Sequence, residues 1–264
     1  MTYVDLDRLT PLICIKVGTI GTLRRPPQRR PRAARRSNNH VALQPKYREY
    51  PLRKPRFIAE QGRKPSGLLG QIVARVMAKE TANENDFALA LLQLQPEDAV
   101  LEIGCGHGET LAKCANVVSR GSLCGIDFSP VMHRHAMRRH RRLVAEKRIE
   151  FHLGSSDRLP FDDQSFDKAF AVHTIYFWRT PLDHLAEARR VLKPGGRFVL
   201  GFRPAEDAGF RATYPSEIYH IRPEAEVAKL AREAGFEAVD LGRHVRGKLQ
   251  FSFVTGTRAQ DKLA

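Results

Sequence analysis

The sequence predicts an α/β fold on a mostly parallel sheet, and three observations carry that expectation. From Ser66 onward, apolar residues alternate between the strand period and the helix period, the signature of repeated strand-helix units. Val100–Glu109 reads as an apolar strand that ends in an acidic residue, runs through three glycines at alternate positions and enters a helix-like stretch. The chain has 264 residues, enough for one large α/β domain with an appendage.

Taken in order, helices are expected over Ser66–Lys79 and Asn83–Leu94, leading through Pro96 into the first strand around Val100–Ile103. A helix over Glu109–Val118 precedes a second strand at Ser122–Ile126 and a helix at Pro130–Lys147. Strands at Ile149–Leu153, Lys168–Val172 and Arg197–Phe202 follow, with a helix at Pro181–Leu192 before the last of them. A helix at Pro223–Gly235 and a strand pair, Glu237–Leu241 and Leu249–Thr255, close the domain. No internal repeat is present.

The glycine loop is the most specific feature. Gly104, Gly106 and Gly108 let the backbone turn sharply and approach a ligand with no Cβ between them. Strand, loop and helix amino terminus then make a cradle for a nucleotide-like ligand at the carboxyl end of a sheet. A dinucleotide fingerprint places its third glycine where this chain has Glu109, so a pyrophosphate is not required.

Charge is unevenly distributed. Residues 1–66 hold 16 Lys/Arg and 4 Asp/Glu, whereas residues 67–264 hold 28 and 25, so most of the net +15 lies in the first quarter. From Arg24 to Lys64 the chain is rich in Arg and Pro and poor in large apolar residues, which predicts a leader over residues 1–65 without a core of its own, ahead of a domain at 66–264. The leader reads either as a solvated segment or as a basic arm for nucleic acid or an acidic surface, with only Tyr47, Tyr50 and Phe57 for stacking.

Cys14, Cys105, Cys114 and Cys124 form no C-x-x-C pair, which argues against a metal site and for a reducing, cytoplasmic setting. The apolar run from Pro11 to Leu23 is interrupted by Lys16, and no run reaches the length of a membrane span. The stretch at Pro130–Lys147 is strongly basic, with Arg134, Arg138, Arg139, Arg141 and Arg142. None of its histidines stand four apart, so it holds no helical metal pair and reads as a solvated face or a polyanion surface. No feature of the sequence specifies an oligomeric state.

Three further motifs sharpen the ligand. Asp127, in Gly125-Ile126-Asp127-Phe128-Ser129-Pro130, lies 23 positions after Gly104, where a carboxylate can accept hydrogen bonds from both hydroxyls of a ribose. Leu159-Pro160-Phe161 precedes Ser165-Phe166-Asp167, and Leu192-Lys193-Pro194-Gly195-Gly196 turns into the fifth strand. In this order and spacing the chain resembles the class I methyltransferases that use S-adenosylmethionine, in particular the bacterial type with small-molecule acceptors.

The resemblance implies a doubly wound, mostly parallel seven-stranded sheet with an antiparallel last strand, and S-adenosylmethionine as cofactor. It implies that Glu102, Gly104, Cys105, Gly106 and Gly108 wrap the methionine end, that Asp127 takes the ribose and that Phe128 lies on the adenine. Ser155 and Ser156 would line the adenine edge; Ser155 stands where an aspartate is common, and Asp157 sits two residues late. His173 matches the position that faces the sulfonium.

Each residue also has a bland reading: Gly108 as a close helix contact, Asp127 as a helix cap, His173 as a satisfied histidine. The acceptor pocket is expected after the fourth and fifth strands, from Thr174, Tyr176, Phe177, Trp178, Tyr214 and Tyr219, with Arg203–Ile221 as a mobile lid and His173 or His220 as base. The aromatic cluster at Tyr176–Trp178 reads equally as packing. Two other functions stay open, an RNA or other macromolecular methyltransferase guided by the leader and a non-catalytic cofactor binder. Deleting residues 1–64 would abolish the former and spare a small-molecule enzyme.

Overall fold

The computed structural model describes residues 53–67, 70, 81–246 and 249–260. Most of the leader, and most of the helix expected at Ser66–Lys79, lie outside the described residues. In chain order the elements are α1 (Arg56–Arg63), α2 (Ala82–Leu92), β1 (Ala99–Ile103), α3 (Glu109–Cys114), β2 (Ser122–Asp127), α4 (Pro130–Arg139), α5 (Arg141–Ala145), β3 (Ile149–Leu153), β4 (Phe166–Val172), α6 (Pro181–Val191), β5 (Leu192–Phe202), α7 (Ala208–Thr213), α8 (Glu224–Glu233), β6 (Phe236–Arg246) and β7 (Leu249–Arg258).

The strands form one seven-stranded sheet in the order β3-β2-β1-β4-β5-β7-β6. β1 to β5 pair in parallel, and β7 runs antiparallel between β5 and β6, which is the expected class of fold. Alternation along the strands explains why both faces are covered. Leu101, Ile103, Ala169, Ala171, Phe198 and Leu200 face one core, closed by Leu185 and Val191 of α6 and Val227 and Ala231 of α8. Val100, Phe170 and Val199 face the other, closed by Leu92 of α2 and Leu111 of α3. Fully burying a Val, Leu, Ile or Phe side chain contributes about 1.5–3 kcal/mol, and strands covered on both faces are apolar nearly throughout.

Several boundaries differ from the expectation. The basic stretch at 130–147 is two helices, because His140 leaves helical geometry (φ −106°, ψ 25°) and its Nε2 meets the His107 carbonyl at 3.1 Å. Ser129 caps α4, its Oγ accepting from the Met132 amide at 3.4 Å, with Pro130 in the first turn.

Within the leader, residues 53–65 are ordered against the domain. Ala59 of α1 is buried, the Lys54 amide donates to the Thr213 carbonyl at 2.7 Å, and the Pro65 carbonyl accepts from Ser129 Oγ at 3.4 Å. Arg203–Ile221 is not a loose lid at its described positions: it holds α7, and Phe210, Ile218 and Tyr219 are buried in the core. Asp207 fixes it further, capping α7 through the Phe210 amide and pairing with Arg203.

Candidate functional site

The strand order reverses between β1 and β4, and a crevice opens beyond their carboxyl ends. The loop after β1 is folded back onto β2, with the Gly104 and Cys105 amides donating to the Ile126 carbonyl at 2.8 and 3.1 Å. Gly104 has φ +75°, and a Cβ there would stand 2.3 Å from Thr174 Cγ2 of the loop after β4. At Gly106, φ is +54° and a Cβ would meet nothing within 4 Å. The loop therefore abuts the β4 side at Gly104 and presents bare backbone to open space at Gly106.

That space is a cavity of about 310 Å³, within the range of ligand-binding clefts. Asp127, at the end of β2, accepts from the Gly106 amide at 2.9 Å and the Ser129 amide at 2.8 Å. Burial pushes its carboxyl up, and those two amides pull it back only in part. Glu102, on β1, is buried beside it; desolvation, with the Asp127 charge adding to it, pushes its carboxyl well up. Glu102 Oε2 has no hydrogen-bond partner among the described residues. Two buried carboxylates side by side are costly, and a cationic or multiply donating ligand between them would relieve the cost.

The cavity's far wall comes from the loop after β4. His173 has φ +60°, an unusual conformation for this residue type, and its amide donates to the Gly201 carbonyl at 2.9 Å. Its Nδ1 lies 3.2 Å from Tyr176 Oη, which itself accepts from the Arg203 amide at 2.5 Å. Desolvation, aided by the Arg203 charge, pushes the imidazole down to about 3, so it is neutral at pH 7. His173, Thr81 and Phe177 also line a second cavity of about 110 Å³, enclosed by Tyr176, Phe210, Tyr214, Tyr219 and Phe251.

Most of the expected residues converge. Glu102, Gly104, Cys105, Gly106, Asp127, Phe128, Ser155, Ser156 and His173 line the larger cavity. Gly108 does not: a Cβ there would lie 2.5 Å from Phe151 Cζ, so its lack of a side chain serves close packing. Tyr176, Phe177, Tyr214 and Tyr219 line the smaller cavity. Trp178 lines the larger one instead, stacked on His184 at 4.8 Å, where His184 Nδ1 meets Ser156 Oγ at 2.8 Å. His220 lines neither cavity, and its amide is spent on the Tyr176 carbonyl.

Among the residues that sequence reasoning missed are Gly62, Arg63 and Pro65, from α1 and the turn after it, and Asn85, Met132 and His184. The short apolar stretch Phe57-Ile58-Ala59 was the one signal of the first three, and the surrounding Arg and Pro obscure it. Among the described residues no helix is long and apolar enough to cross a membrane.

Comparisons with known proteins agree on the architecture. Residues 101–200 match a family model described as a methyltransferase domain. An uncharacterised 37.1 kDa protein in a Streptomyces fradiae transposon is 37% identical over 163 residues, covering 56% of this chain and 46% of that protein. An O-methyltransferase of Penicillium expansum is 28% identical, over 54% of this chain and 53% of its own. The chain thus spans about half the length of these curated relatives. The crystal structure of a SAM-dependent methyltransferase from Aquifex aeolicus superposes with a TM-score of 0.55 at 23% identity, covering 66% of this chain and 89% of that one.

Proposed function

We propose that the chain, whose residues 101–200 match a methyltransferase domain, moves a methyl group from S-adenosylmethionine to a small organic acceptor by in-line displacement. The observation that carries this reading is that a single cavity gathers Asp127, Glu102 and the bare backbone of Gly106. Asp127 would accept from the ribose hydroxyls, a bidentate role for a carboxylate already oriented by the Gly106 and Ser129 amides. Glu102 Oε2, buried without a hydrogen-bond partner among the described residues, would find one in the methionine ammonium, directly or through water. Phe128 and Met132 offer apolar surface to the adenine, and Ser155 lines its edge.

When bound, S-adenosylmethionine supplies a methyl group already activated on a sulfonium. The protein's part is then to position the acceptor and exclude water. His173, neutral and set between the two cavities, is suited to orient the acceptor rather than to take up a proton at neutral pH. The aromatic second cavity, of about 110 Å³, accords with a small acceptor.

Calorimetric titration with S-adenosylmethionine tests the reading. The wild type is expected to bind, and Asp127→Ala to bind about a hundredfold more weakly, the worth of one or two hydrogen bonds to a charged group. No binding to well-folded wild type would overturn any methyltransferase reading, and unchanged binding by Asp127→Ala would overturn the ribose assignment.

A further inference from the structure

The 110 Å³ cavity holds two buried polar atoms without a hydrogen-bond partner among the described residues, Tyr219 Oη and His173 Nε2. Tyr219 is itself only 3% exposed. The tautomer of His173 follows from its neighbour. Tyr176 Oη already accepts from Arg203, so its own proton is best satisfied on His173 Nδ1, which leaves the ring proton on Nε2. Burial, assisted by the nearby Tyr214, holds the Tyr219 phenol far above its ordinary value, so it keeps its proton. Both unpartnered atoms are therefore donors.

Resting on the methyltransferase reading, we infer that this cavity takes the acceptor as an oxyanion on a small planar ring, a phenolate, with its oxygen held between Tyr219 Oη and His173 Nε2. Size and walls select the ring. An apolar cavity of about 150 Å³ holds benzene, and Tyr176, Phe177, Phe210 and Phe251 here line a partly open space of about 110 Å³ whose open side leaves room for a ring substituent.

Charge selects against the alternative such aromatic boxes suggest, a quaternary or protonated amine. Lys54 Nζ already sits 4.6 Å from the Tyr214 ring centroid, and the Arg203 guanidinium 4.5 Å from that of Phe210. The faces of these two rings are thus taken by cations and closed to an ammonium. Asp207 pairs with Arg203, and Glu84 is the one carboxylate among the described lining residues.

The transfer then needs no base in the cavity. The acceptor's proton leaves to water as it binds. An oxygen lone pair next forms the C–O bond to the methyl group, and the C–S bond of the donor breaks with its electron pair retained by sulfur as a thioether. His173, which borders both cavities, puts that oxygen beside the donor's site.

The test uses the full chain saturated with S-adenosylhomocysteine and 4-nitrophenol as probe, whose phenolate is read by its visible absorbance. The bound phenol is expected to ionise about one unit or more below the free one, and 4-nitrotoluene, lacking the hydroxyl, to bind at least about tenfold more weakly. Tyr219→Phe is expected to reverse much of the ionisation shift while leaving S-adenosylhomocysteine affinity intact. Should that variant fail to fold, the two wild-type measurements decide. Unshifted or raised ionisation, equal binding of 4-nitrotoluene, or tighter binding of benzyltrimethylammonium each overturns the inference. Failure of S-adenosylhomocysteine itself to bind the folded protein would instead overturn the methyltransferase reading.

Discussion

Glu224 begins α8 with its carboxylate 1% exposed, and it ties three elements together. Arg243 of β6 pairs with it, and Ser252 Oγ and Gln250 Nε2 of β7 donate to it at 2.6 and 2.9 Å. Burial alone would push this carboxyl up; hydrogen bonds from Arg243, Ser252 and Gln250 outweigh it and hold it below its ordinary value. A depressed carboxylate contributes stability that is fully present above its unfolded value, about 4.3, and lost as pH falls through the lower folded value. Glu224→Gln should accordingly lower Tm at pH 7, by the few degrees that about 1.5–3 kcal/mol represents in a chain of this size. The difference from wild type should shrink below pH 4, which thermal melts across pH will check, and a constant difference would refute the linkage. Nothing in the sequence announced this residue. Asp127 and Gly106 were legible because their contact follows from one loop and one strand end, whereas Glu224 gains its partners only when β6 and β7 fold back beside α8. His173 was legible as a position but not as a donor, since its tautomer depends on Tyr176 and Arg203.

At the level of elements, α1 changes the meaning of the leader. Its composition, Arg-Phe-Ile-Ala-Glu-Gln-Gly-Arg after two prolines within five residues, hides a helix that packs through Ala59 alone. That single contact, together with the Lys54 and Pro65 hydrogen bonds, sets Gly62 and Arg63 at the rim of the larger cavity. Ala59→Glu would bury a charge with no partner at a helix that contributes little else to the core. The expected result is an S-adenosylhomocysteine affinity at least about tenfold lower, with the main thermal transition moved by only a few degrees. Calorimetric titration beside a thermal melt separates the two, and a full loss of fold with no separable effect on binding would show α1 to be core rather than wall. The existence of the strands was readable because period reports burial, whereas their ends were not, β5 starting at Leu192 and β6 running on to Arg246; nor was the break at His140, which arises from a tertiary contact with His107.

Across the whole molecule, sheet order and charge distribution point in different directions. The doubly wound, mostly parallel sheet was implied by the family resemblance that the four motifs carry, and the sheet is of that class. Charge is separate from that core: residues 1–52 contain 11 Lys/Arg and 3 Asp/Glu, outside the described part of the fold. Removing residues 1–64 cannot distinguish a macromolecular from a small acceptor, because the cut takes α1 and the Gly62 and Arg63 wall with it. The informative cut starts the chain at Arg53. A small-acceptor enzyme should then keep its cofactor affinity and its rate on a phenol within about twofold, since both cavities are lined by residues beyond 53. Binding to a polyanion such as bulk RNA should weaken, and its dependence on log salt should become shallower, because each Lys or Arg withdrawn from a phosphate contact removes about 0.7–0.9 from the slope. Loss of methyl transfer with cofactor affinity intact would reverse the conclusion. It would make the basic segment part of acceptor recognition, which the 110 Å³ cavity on its own does not require.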